Sequence, residues 1–282
     1  MPELTFRGRP VRSDRALIMG IVDRTPPSAT EPRGGAFDED AARTAITRAS
    51  GEGADVIDLG GVAEPGGTSA EQEIDQLVPA VRWARAAFPD AVLSIDTHRR
   101  EVAEQACRAG ADLLNDLGAN TGGVLDVAAE HGTGYVCTHT GGEPGTARPR
   151  YGDVVETVVE ETTKLADEAV ERGVPRSGIL IDPAIDVRKD THHSLTLLRH
   201  LDALVETGWP VLVAVSNKDV VGETLDVAGD DRLTGTLAAT ALAAHSGAAM
   251  FRVHQVAQTR QTVEMVASVD GYRAPARAVR WT

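Results

Sequence analysis

Apolar residues come in short unbroken runs along this chain, at 16–22, 55–59, 91–95, 112–114, 134–138, 179–181, 211–215 and 249–253. Runs of this length without polar alternation predict strands buried on both faces, as in a parallel sheet. Longer stretches with apolar residues at helical spacing lie between them, for example Val155, Val158, Val159 and Thr162. They predict helices over 39–52, 70–87, 99–109, 123–130, 154–172, 191–207, 231–246 and 256–267. Asp38 is placed to cap the first, and glycines at 53, 110, 132, 173, 208 and 247 stand where helices should end. Strands alternating with helices in this number predict an α/β fold, a single (β/α)8 TIM barrel forming one domain over 1–282. A doubly wound open sheet is the alternative, but it would gather its polar residues at one switch point. Here polar residues close nearly every run.

Five of those closures are Asp96-Thr97, Asn115-Asp116, Asp182-Pro183, Ser216-Asn217-Lys218 and Arg252-Val253-His254. In a barrel, the strand ends surround one pocket, and chemistry is done there. Residues far apart in sequence are thereby expected to meet around one small ligand. Asp58, inside the second run, reads as a brace for loops. His139 ends the fifth run without a clear role, and His192-His193 open a helix and should face solvent.

Composition narrows the possible functions. The chain has 282 residues, a net charge of −14, a pI near 5.0 and no basic run, which argues against nucleic-acid binding. Lysine occurs only at 164, 189 and 218, so Lys218 at a strand end stands out. Cys107 and Cys137 lack metal-type spacing and read as buried thiols in a reducing compartment. No stretch is long and apolar enough for a membrane span, and no leader pattern opens the chain, so a cytoplasmic location is expected. Phosphate-loop and dinucleotide glycine motifs are absent. The segments 24–37 and 143–151, long and rich in Gly or Pro, are candidate lids over the strand ends.

The strand ends, taken in order, resemble dihydropteroate synthase. The blocks are Met19-Gly20-Ile21 with Thr25-Pro26, Gly53–Gly61, Ser94-Ile95-Asp96-Thr97, Gly110–Asp116, Ile181-Asp182-Pro183, Ser216-Asn217-Lys218 and Arg252-Val253-His254. The resemblance covers about residues 15–267 and is nearest to the divergent second paralogue of actinobacteria, through Arg199-His200-Leu201, 216–223 and 235–244. It implies a pterin pyrophosphate ligand, magnesium carried with the diphosphate, and a homodimer. It implies substrate contacts from Asp96, Asn115, Asp182, Lys218, Arg252 and His254. Asp182 would accept from the pterin amino edge, Asn115 would pair with the ring, and Asp96 would take a further ring N–H. Lys218, Arg252 and His254 would be catalytic, the last two holding the departing pyrophosphate. Asp23 would be the magnesium ligand.

This chain departs from the synthase pattern on one side of the site. Asp23-Arg24-Thr25-Pro26-Pro27-Ser28 replaces a loop with Asn and Thr-Pro-Asp-Ser, and Val62-Ala63-Glu64 replaces Ser-Thr-Arg. The pattern Asp-Pro-Gly-Ile-Gly followed by an aromatic reads here Asp182-Pro183-Ala184-Ile185-Asp186-Val187, and the Arg of Ser-Arg-Lys is Asn217. The changed positions are those implied to hold p-aminobenzoate and exclude water, so synthase activity is expected to be weak or lost. A repurposed barrel enzyme on another pyrophosphorylated or heterocyclic substrate, and a non-catalytic pterin binder, are the alternatives.

Overall fold

A computed structural model describes residues 3–23, 39–60, 69–118, 122–141 and 150–279. The strands β1 (Thr5–Phe6) and β2 (Arg9–Pro10) form an antiparallel hairpin. The main sheet contains β3 (Leu17–Asp23), β4 (Val56–Gly60), β5 (Val92–Asp96), β6 (Leu113–Asp116), β7 (Gly134–Thr138), β8 (Ile179–Asp182), β9 (Leu212–Val213) and β10 (Met250–Val253). Helices α1 (Glu39–Glu52), α2 (Ala70–Ala87), α3 (Arg100–Ala109), α4 (Val124–His131) and α5 (Val154–Glu171) connect the first strands. Helices α6 (Thr191–Arg199), α7 (Leu201–Val205), α8 (Asp219–Leu225), α9 (Leu233–His245) and α10 (Val256–Val269) complete the ring.

The eight-stranded sheet runs β8-β7-β6-β5-β4-β3-β10-β9 with parallel pairing throughout. A parallel bridge between Ile181 and Val211, with Ile181 N donating to Pro210 O at 2.9 Å, joins its two ends and closes the barrel. The expected (β/α)8 barrel is the observed fold. Capping chemistry places the helices: Ser69 and Gln72 form a reciprocal capping box on α2, and α3 stops at Gly110, whose φ of 118° suits a residue without Cβ. Asp38 lies outside the described residues.

Three features differ from the sequence expectation. The helix expected over 191–207 is broken at His200 into α6 and α7, and α8 was not anticipated between β9 and α9. The hairpin was not anticipated either, because its strands are too short to leave a pattern. It carries Leu4 and Phe6 into the barrel's N-terminal end, where they pack with Leu17, Met19, Val56, Val92, Leu113, Val136, Leu180, Leu212, Ala214 and Met250. Gly134 makes room for this plug: a Cβ there would lie 2.7 Å from the Phe6 ring and 2.6 Å from Gly178 O. A second, larger apolar cluster fills the space between strands and helices, with Ile18, Ile57, Leu93, Leu114, Tyr135 and Phe251 as its strand side.

Candidate ligand pocket

Strand periodicity builds the site. Side chains alternate between the barrel interior and the helix layer with period two. The inward apolar residues Val56, Val92, Leu113, Val136, Leu180, Ala214 and Met250 are therefore followed, two positions on, by Asp58, Ser94, Asn115, Thr138, Asp182, Ser216 and Arg252. A dry floor is overlaid by a polar layer at the C-terminal end of the barrel. Asp96 stands one step higher, level with Asn115 in register. Asp116, by the same parity, points outward and is held by Tyr135 Oη at 2.8 Å and by Gly118 N at 2.7 Å.

Arg252 joins two of the buried carboxylates. Its Nε donates to Asp58 Oδ2 and its Nη2 to Asp96 Oδ2, each at 2.7 Å, and Ser94 Oγ donates to Asp58 Oδ1 at 2.6 Å. The reading of Asp58 as a loop brace is thus corrected: it lies inside the barrel as a partner of Arg252. Burial, reinforced by the negative charges of Asp58, Asp116 and Glu73, outweighs Arg252 and lifts the Asp96 carboxyl to about 7.

The opposite side of the layer holds Asp182 and two lysines. Asp182 Oδ1 accepts from Ala184 N at 2.7 Å, and burial raises its pKa against the pull of Lys218. Lys218 Nζ donates to Ile185 O, and burial lowers its pKa while Asp182 and Asp186 oppose this. Lys189 Nζ contacts Ala184 O at 3.3 Å, Val187 O at 3.2 Å and His139 Nδ1 at 2.9 Å, and burial brings its pKa down to about 8. Lys189 donates there, so His139 is neutral with its proton on Nε2. Burial and the neighbouring lysine hold the ring's pKa down to about 3. Its Nε2 lies 3.1 Å from Glu161 Oε2 but out of line for a hydrogen bond.

The sequence-predicted residues Asp96, Asn115, Asp182, Lys218 and Arg252 are brought to one end of the barrel. His254 is further out and exposed; its Nδ1 lies 3.0 Å from Ser216 Oγ. His193 is corrected from a solvent-facing residue to a half-buried one, 5.0 Å from the Tyr151 ring. The side chain of Asp23 lies outside the described residues, as do the Thr25-Pro26 and Val62-Ala63-Glu64 loops and most of the second candidate lid. Among the described residues no three His, Cys, Asp or Glu side chains gather to hold a metal ion. Sequence reasoning missed Ser94, Thr138 and Lys189; counting in twos from Val92 and Val136 finds the first two.

Two buried polar atoms in this layer have no hydrogen-bond partner among the described residues: Asn115 Oδ1 and Thr138 Oγ1. An unmet buried group costs about 1–3 kcal/mol unless water or a ligand meets it.

A family profile described as pterin binding enzyme matches residues 19–254. The chain belongs to the pterin-binding enzyme family. Within it, the chain is 55% identical to inactive dihydropteroate synthase 2 of Mycobacterium tuberculosis, over 98% of this chain and 90% of that protein. It is 33% identical to dihydropteroate synthase of Streptococcus pyogenes, over 93% and 98% of the two chains. The structure of Xanthomonas albilineans dihydropteroate synthase with 4-aminobenzoic acid superposes with a TM-score of 0.85 at 35% identity, covering 95% of this chain and 98% of that one. Membership of the pterin-binding family agrees with a polar layer set on a closed apolar floor.

Proposed function

We propose that this polar layer binds a pterin-like ring bearing a pyrophosphate, and that its condensation with p-aminobenzoate is weak or lost. The observation that carries the reading is the incomplete hydrogen bonding at Asn115 and Thr138, beside the carboxylates of Asp96 and Asp182. A heterocycle with adjacent N–H and C=O groups would meet both kinds of unmet atom. Asp182 would accept from the ring's amino edge, Asn115 and Asp96 would pair with other ring atoms, and Lys218 would donate to the ring carbonyl after releasing Ile185 O. Arg252, already committed to Asp58 and Asp96, would orient those carboxylates, leaving His254 nearer the mouth for the pyrophosphate. Magnesium would arrive with the diphosphate and would add charge neutralisation. The name carried by the mycobacterial relative, and the altered residues at 184–187 and 217, support loss of the second step.

The test is calorimetry with dihydropterin pyrophosphate, with and without magnesium, followed by a direct assay for dihydropteroate. Binding with turnover far below the roughly 1 s⁻¹ low end of ordinary enzymes is expected. Asp182→Ala should weaken binding by about 1–3 kcal/mol or more, because it strands the ring's donors. Absence of binding by the parent, or ordinary turnover and complementation of a synthase-deficient strain, would overturn the proposal.

The quaternary proposal is a homodimer through α9 and α10. Leu242, Met265, Val269 and Tyr272 are each 62–70% exposed near the shared end of these helices, which the His245–Asp270 pair at 2.8 Å ties together. Exposed apolar side chains on two adjoining helices suit a twofold contact. Sedimentation should give twice the chain mass, and Leu242→Glu with Val269→Glu should give the monomer. No helix among the described residues is long and apolar enough to cross a membrane. With two buried thiols, that supports a cytoplasmic location.

A further inference from the structure

The loop from β8 to α6 holds three non-glycine residues in the left-handed region: Ala184 (φ 51°), Asp186 (φ 65°) and Arg188 (φ 53°). A Cβ makes that conformation unfavourable by about 1–2 kcal/mol per residue, so the surroundings must hold the loop in place. Asp186 does so with its side chain. Its Oδ1 accepts from Ser194 Oγ at 2.9 Å, its Oδ2 accepts from Val220 N at 2.8 Å, and its own N–H donates to Ser194 Oγ at 3.1 Å. Together with the Lys218–Ile185 contact, this stitches the loop to the 216–220 segment at Lys218 and at Val220.

The stitching turns donors of this wall toward internal acceptors. Lys218 Nζ gives one of its three N–H groups to Ile185 O, and Val220 N donates to Asp186 Oδ2. Arg232 Nη1 is taken by Asn217 O at 2.8 Å and Asp219 Oδ1 at 3.0 Å. A second substrate bearing a carboxylate needs donors of this kind; to take Val220 N it would have to displace the Asp186 carboxylate while adding negative charge beside Asp186 and Asp219. The synthase pattern has glycine where Asp186 stands, and glycine brings no competing acceptor.

We propose that Asp186 is a specificity-determining residue: its carboxylate fills the anion-accepting position of the wall beside Lys218, and the pocket thereby rejects second substrates of the aminobenzoate type. This rests on the reading of the pocket as pterin-type with its second-substrate side at 184–188 and 217, and it names the residue that closes that side.

The test compares p-aminobenzoate with aniline, which lacks the carboxylate, on the full-length parent and on Asp186→Gly and Asp186→Asn. Calorimetry is run with each probe alone and again with dihydropterin pyrophosphate and magnesium. Asp186→Gly should bind p-aminobenzoate at least tenfold more tightly than the parent, with aniline affinity changing less than twofold. Asp186→Asn keeps an acceptor for Val220 N and should gain less than threefold. If Asp186→Gly is unfolded by circular dichroism, Asp186→Ala replaces it; Ala184 already occupies the left-handed region two residues earlier. No gain for the carboxylate probe in the folded variant overturns the proposal, as does an equal gain in Asp186→Asn. A parent that fails to bind the pterin pyrophosphate refutes the pterin reading separately, because the carboxylate preference is still scored with the probes alone.

Discussion

Replacing Arg252 by Met removes the cation that joins Asp58 and Asp96 while roughly keeping the volume. Two charge-assisted hydrogen bonds at 2.7 Å are lost, each worth about 1.5–3 kcal/mol. Buried carboxylates left without their partner cost about 3–5 kcal/mol in total. Part of this cost depends on pH. A carboxyl whose folded pKa lies above its unfolded value binds more protons when folded, so its contribution to stability falls as pH rises. For Asp96 in the parent that fall runs from about pH 4 to about pH 7. Without Arg252 the folded pKa rises further, and the fall continues beyond pH 7. The variant's deficit should therefore be about 3–5 kcal/mol at pH 8 and smaller by at least about 1.4 kcal/mol, the equivalent of one pKa unit, at pH 5.5. The assay is urea unfolding at both pH values, followed by tryptophan fluorescence and far-UV circular dichroism. A deficit under about 1 kcal/mol at pH 8, far below the expected range, or the same deficit at both pH values, would refute the assignment of Arg252 as the bridge between the Asp58 and Asp96 side chains.

Two further outcomes follow from the same polar groups. Tyr135→Phe removes the hydroxyl that donates to Asp116 Oδ2 and should lower stability by about 1–3 kcal/mol in urea melts; an unchanged melt would refute a stabilising role for this bond. His139 is held neutral, with its folded pKa below the unfolded one, so its contribution is present above about pH 6.5 and lost as pH falls toward about 3. His139→Gln should therefore lose less stability than the parent between pH 7 and pH 4.5, and equal losses would argue against a neutral buried ring.

The barrel was legible because its strands are buried on both faces and leave unbroken apolar runs, and because Gly110 and its counterparts mark helix ends. Helices α1 and α2 fall where the helical spacing placed them. The hairpin plug was not legible: two-residue strands have no period, and Leu4 and Phe6 gain meaning only once the barrel's lower end exists. The helix α8 was hidden because its seven residues follow directly on the strand-end cluster Ser216-Asn217-Lys218 and are too few to set up a helical period. Among site residues, strand-end position found Asp96, Asn115, Asp182, Lys218 and Arg252. The role of Asp58 was lost by attention to strand ends alone, although its parity with Val56 puts it inside. The Asp186 contacts could not be read at all, since Ser194 and Val220 are eight and thirty-four residues away and meet it only through the folded loop.

Leu4 and Phe6 of the hairpin pack against the underside of the apolar floor, so the barrel below the polar layer is solid side chain rather than a passage. Anything seated on that layer has the rim of strand ends as both its way in and its way out. Residues far from any chemistry thereby help decide from which side the pocket is reached.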